Sequence, residues 1–175
     1  GGLGTYTAAL AVTGSTSVSA TPVTASNEQW NGSAWTETGD VNTARGHPGA
    51  GGTTTAGLIF GGDTPPKSSI TESWNGSSWT EVNDLNTARE GLAGAGSDNT
   101  SALTFGGGPP QITTTESWNG TNWTNENSLS TARWNLGSAG TLTDALAFGG
   151  AAPSDSAATE EWMGDGGVTE TITTD

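Results

Sequence analysis

The chain has no cysteine, which excludes disulfide staples and thiolate sites and leaves cysteine usage silent on redox compartment. Basic residues are almost as scarce: four Lys and Arg face 18 Asp and Glu, for a formal net charge of −14. Such a surface repels phosphate backbones and anionic headgroups, so neither nucleic acid nor a membrane is an expected partner. High net charge also serves plain solubility. No apolar run approaches the roughly 18–20 residues of a membrane span, and no secretory leader is visible. His47 is the only His and Tyr6 the only Tyr.

What remains is rich in Gly, Ser, Thr and Asn, with only 31% hydrophobic residues among 175. Low hydrophobicity with high charge is a signature of disorder. Eight Trp argue otherwise, because they fall in register. Trp30, Trp74, Trp118 and Trp162 recur every 44 residues. A second Trp follows five residues after the first three, at Trp35, Trp79 and Trp123. Glu28, Glu72, Glu116 and Glu160 each stand two residues before the first Trp. Thr-Ala-Arg recurs at 43–45, 87–89 and 131–133, and Phe-Gly-Gly at 60–62, 105–107 and 148–150.

Each unit reads as four short strands. In one copy these are Gly91–Gly96, Ala102–Phe105, Thr114–Trp118 and Trp123–Glu126. The last two flank Asn119-Gly120, a strong hairpin signal. With a type I′ turn at Asn31-Gly32, residue 30 faces 33 and residue 28 faces 35. Sliding the turn to Gly32-Ser33 would set Glu28 against Glu37 and Glu72 against Glu81, a like-charge pairing, so the Asn-Gly register is expected. A small sheet with a Trp-rich face must bury it on the next copy. Four-stranded units of about 40–50 residues are propeller blades. The expected architecture is therefore all-β, one repeat domain over 1–175 with blades 1–39, 40–83, 84–127 and 128–175. The first blade has a longer loop between Val12 and Trp30. The last has Met163-Gly164 for Asn-Gly, no second Trp and a β-branched tail, Val168–Thr173, as terminal caps of an array do.

The unit resembles the Kelch repeat: Phe60-Gly61-Gly62, Glu72-Ser73-Trp74, Trp79, Leu85, Thr87-Ala88-Arg89 and Gly94-Ala95-Gly96. It departs from it in having Trp for the usual Tyr and a shorter hairpin between the aromatics. The resemblance covers essentially the whole chain and implies a Kelch-like β-propeller, with little implication for function. The pattern Thr-Glu-Ser-Trp-Asn-Gly-x-x-Trp-Thr, with Leu-Asn-Thr-Ala-Arg and Ala-Leu-x-Phe-Gly-Gly, looks like repeats of marine bacteriophage virion proteins. That likeness implies a tail fibre, appendage or capsid-decoration part, at the virion and outside the cell. Its partners would be other virion proteins or host-surface glycans. Aligning Gly4–Leu10 on Gly140–Leu146 puts the first unit's arginine just before Gly1, leaving four Glu to three Arg. A piece of a longer protein is expected, closing alone or completing its ring with another chain, a homo-oligomer included.

Two readings are open for the recurring Glu and Arg. They form buried inter-strand ion pairs at blade junctions, or Arg45, Arg89 and Arg133 ring one mouth and hold an anion. The Trp rows are packing seams or sugar-stacking platforms. Trp134 has no counterpart, since Gly46 and Glu90 occupy its place, and it is the best single contact candidate. His47 reads as a solvated loop residue, with no nucleophile-elbow motif to serve. Ser97-Asp98-Asn99 and Asp165-Gly166-Gly167 are weak calcium candidates. Asn-x-Ser/Thr sequons at Asn31, Asn75 and Asn119 coincide with the hairpin turns, and others begin at Asn99 and Asn122. No acid, base and nucleophile set can be named, so the expectation is a binding or structural module without catalytic residues, metal or cofactor.

Overall fold

The structure, a computed structural model, describes residues 1–15, 22–164 and 170–172, the last three as backbone only. Part of the first blade's long loop, the calcium candidate at 165–167 and most of the C-terminal tail lie outside these residues. Four antiparallel sheets of four strands follow one another along the chain as the blades of a propeller. Blade 1 holds β1 (Gly2–Thr5), β2 (Ala8–Ser15), β3 (Val23–Trp30) and β4 (Trp35–Thr38). Blade 2 holds β5 (Gly49–Thr53), β6 (Ala56–Phe60), β7 (Thr71–Trp74) and β8 (Trp79–Val82). Blade 3 holds β9 (Ala93–Asp98), β10 (Ser101–Phe105), β11 (Thr115–Trp118) and β12 (Trp123–Glu126). Blade 4 holds β13 (Gly137–Gly140), β14 (Asp144–Phe148), β15 (Thr159–Met163) and β16 (Glu170–Ile172).

The innermost strands β1, β5, β9 and β13 surround a central cavity of about 280 Å³. Their small residues are a packing requirement. A Cβ on Gly94 would fall 2.5 Å from the Ala50 carbonyl oxygen of the next inner strand. In blades 2 and 3 the second strands are buried on both faces between neighbouring blades and therefore read as apolar runs, Leu58-Ile59-Phe60 for example.

The outer hairpins adopt the register that the sequence argued against. Trp30 pairs with Trp35, Glu28 with Glu37, and Glu72 with Glu81. Positive φ falls on the glycine alone, +96° at Gly32, +95° at Gly76 and +89° at Gly120, which fits a II′-type turn with glycine first. The asparagine serves through its side chain. Asn31 Oδ1 accepts from the backbone N–H of Ser33 and Ala34 at 3.0 Å each, and Asn75 and Asn119 repeat the arrangement. The like-charge pairing is offset in blade 2 by the buried Arg45, which pairs with Glu72 and is also drawn electrostatically by Glu81.

Three apolar cores hold the blades together, one at each consecutive junction. Leu10, Val12, Ile59, Trp74 and Trp79 join blades 1 and 2. Leu58, Phe60, Ala102, Trp118 and Trp123 join blades 2 and 3. Leu103, Phe105, Ala145, Ala147 and Trp162 join blades 3 and 4. Each of blades 2 to 4 thus presents its Trp face to the blade before it, which meets it with a second-strand apolar face. Among the described residues no such core joins blade 4 to blade 1. The exposed large apolar side chains lie on those two blades: Trp35 at 49%, Phe148 at 41%, Met163 at 37% and Tyr6 at 92%.

Candidate functional site

The repeating polar residues meet at the blade junctions. Arg45, Arg89 and Arg133 are buried and pair with Glu72, Glu116 and Glu160, also buried. The partners stand 27 residues apart, so each arginine serves the glutamate that follows it in the next hairpin. The arginine lies in the segment that enters a blade and not on a strand, which corrects the inter-strand reading. Burial lowers the Arg45 and Arg89 pKa values, and the facing carboxylates oppose that shift. Arg45 also donates through Nη1 to the Gly61 and Ile70 carbonyls at 3.2 and 2.7 Å. An anion-binding ring of arginines is excluded, because these guanidinium groups are closed inside the junctions.

Each entering segment is held at three further points. Its apolar residue donates N–H to the previous blade: Val41 to Ala25, Leu85 to Ser69 and Leu129 to Thr113. The next residue gives its N–H to the glutamate, at 2.7 Å for Asn42 and Asn86 and 2.6 Å for Ser130. The arginine's own carbonyl accepts from the previous blade: from Thr13 Oγ1 at 2.6 Å, Gly62 N–H at 2.8 Å and Gly107 N–H at 2.8 Å. The Phe-Gly-Gly motif is thereby explained. A Cβ on Gly106, at φ +59°, would sit 2.4 Å from the Arg133 carbonyl oxygen.

The Trp rows are structural in three blades. Trp74, Trp79, Trp118, Trp123 and Trp162 are buried. Trp123 packs edge-on against Phe60 with centroids 4.9 Å apart, and its Nε1 donates to Thr71 Oγ1 at 3.0 Å. This second contact was missed in the sequence, although Asn27, Thr71, Thr115 and Thr159 repeat at the spacing that reveals it. The same 52-residue relation holds between Trp79 and Asn27, but there the buried Trp79 Nε1 and Asn27 Oδ1 make no hydrogen bond. Thr115 Oγ1 is also unpartnered, and 52 residues on stands Gly167 where the repeat calls for Trp.

Trp134 is half-buried at the blade 3/4 junction, bridged through its backbone to Ala151 and lying beside Gly91. It is not gathered with the arginines into a site. His47 is half-exposed, with Nδ1 3.6 Å from Glu90. Its φ of +49° matches +60° at Gly91 and +50° at Asn135, so it occupies a repeated left-handed turn position. The Asp98 candidate for calcium is a turn: its carboxylate accepts from Thr100 N–H and Oγ1, which lower its pKa. Among the described residues no three His, Cys, Asp or Glu side chains gather to hold a metal. The central cavity is lined by backbone and small side chains such as Ala50, Ala95, Ser138 and Ala139, without a charged group.

In blade 1 the same positions are open. Glu28 is exposed and none of the four basic side chains pairs with it; Trp30 is half-buried and Trp35 is exposed. These features define a four-blade, all-β propeller whose repeating polar chemistry is internal in blades 2 to 4 and exposed in blade 1. Compared with known proteins, the chain matches no family model and no curated sequence.

Proposed function

We propose that this protein is a structural and binding module without catalytic activity, built into a bacteriophage particle as a fibre, appendage or capsid-decoration part. The observation that carries the non-enzymatic reading is the fate of the repeating polar residues. The buried Glu and Arg are engaged with one another or with backbone, and the central cavity has no charged group in its lining, its one hydroxyl, Ser138, donating to the Gly94 carbonyl with no base beside it in the lining. The viral reading rests on the likeness of the Trp-Asn-Gly-x-x-Trp units to repeats of marine phage virion proteins. Immunogold labelling of purified particles tests it. Label at a defined place on the virion is the expected result; protein found in infected-cell lysate and absent from particles overturns it.

A lectin-like role in host recognition is the second reading. It is favoured by Tyr6, an aromatic ring 92% exposed at the β1–β2 turn, suited to stacking on a sugar face. Binding on a glycan array that is lost in Tyr6→Ala supports this reading, and an array without signal removes it.

A further inference from the structure

We infer that the seam between blade 4 and blade 1 is a docking cleft for a polypeptide segment of the Leu-Asn-Thr-Ala-Arg type other than the three within residues 1–175. The inference does not depend on the viral reading above. The three segments of this kind within the chain are all engaged at the other junctions, so they identify both the occupant and its contacts. Each contact has a vacant equivalent at the fourth seam.

Glu28 is the carboxylate for the arginine, standing at the position of Glu72, Glu116 and Glu160. Its neighbour across the hairpin, Glu37, doubles a negative charge that no basic side chain of the protein offsets. On blade 4, Gly150 keeps φ at +87°, as Gly62 and Gly107 keep +103° and +112°, and its N–H has no acceptor among the described residues. It matches the donors that hold the arginine carbonyl. The Ala157 carbonyl takes the place of those of Ala25, Ser69 and Thr113, and it too receives no donor among the described residues. By repeat position, the exposed Trp35 and Phe148 are the counterparts of the Trp123 and Phe60 rings that touch at 4.9 Å in a filled junction. The repeat thus assigns this seam an acceptor, a donor, a carboxylate and two apolar rings, the set that such a segment meets at the other junctions. The three arginine segments within residues 1–175 are engaged at the other junctions, so a second copy of these residues would leave Glu28, Gly150 and Ala157 without these partners.

The test uses a nine-residue synthetic peptide with the sequence of residues 84–92, which contains no Trp. Titration into the protein is followed by its own Trp fluorescence. Saturable binding is expected, weakened at least about tenfold when the peptide arginine is Ala or the protein carries Glu28→Gln, as befits loss of a charge-assisted contact. A second arm makes the contact intramolecular by fusing the same nine residues ahead of Gly1. The fusion is expected to melt a few degrees higher than the parent, with the gain lost when the fused arginine is Ala. Arginine and alanine fusions that melt alike overturn the proposal, as does peptide binding indifferent to Glu28. Concentration-dependent dimerisation abolished by Phe148→Glu assigns the seam to a second copy and overturns it as well.

Discussion

At the scale of single residues, identical side chains differ in what they contribute because their partners differ. Glu72 accepts from Arg45, from the N–H groups of Asn42 and Thr43 and from the Asn42 amide, in a site closed to water. Glu28 occupies the same repeat position on an exposed strand with none of these donors. Removing one member of a buried pair strands the other, at about 3–5 kcal/mol. Glu72→Gln is therefore expected to cost several kcal/mol in urea unfolding, while Glu28→Gln changes stability by less than about 0.5 kcal/mol, as exposed substitutions do. The phenylalanines behave alike. Phe60→Ala, fully buried, is expected to cost about 3–5 kcal/mol, and Phe148→Ala, 41% exposed, a small fraction of that. Equal losses at Phe60 and Phe148 would show that the fourth seam is filled in the isolated chain.

At the scale of elements, the outer hairpin shows where reading by motif succeeds and where it stops. The hairpins were legible from Asn-Gly between Trp-bearing strands. Their register was not, because like-charge pairing argues against it, while the asparagine side chain, accepting two backbone N–H groups beyond the glycine, holds the later turn both in blade 1, where no arginine arrives, and in blade 2, where Arg45 does. The two glycine classes of the repeat also separate here. Gly76 needs only its positive φ, and an added Cβ would meet nothing nearer than 3.6 Å. Gly76→Ala is expected to cost about 1–2 kcal/mol, the penalty for a left-handed L-residue. Gly106→Ala adds a 2.4 Å clash with the Arg133 carbonyl, so it is expected to destabilise by clearly more, or to abolish folding. Paired denaturation curves check the order, and a reversed order would refute this account of Phe-Gly-Gly.

At the scale of the whole molecule, charge and the open seam set behaviour. A net charge of −14 opposes compaction through self-repulsion, so melting temperature is expected to rise with sodium chloride between low and about 0.15 M, where screening acts over roughly 8 Å. In a chain that starts at Gly1, the terminal ammonium adds a pH term. Although the residue is exposed by area, its nitrogen is desolvated at the edge of β1, donates to the Val12 carbonyl at 2.8 Å and has its pKa lowered from 8.0 to about 6. The unfolded chain then holds more protons between pH 6 and 8, so stability rises with pH across that window and is level below and above it. Urea midpoints at pH 6 and 8, compared with the N-acetylated chain, check the sign. Composition, the 44-residue period and the strand patterns determined by themselves that this is an all-β propeller of four blades, because each is a local property repeated along the chain. Only the tertiary structure decided which glutamate each arginine meets, that the arginines are closed to ligands, that Trp134 is half-buried in packing, and that blade 1 keeps its carboxylate and tryptophans open. Those outcomes depend on which blade face receives which segment, and that pairing across a junction has no expression in local sequence.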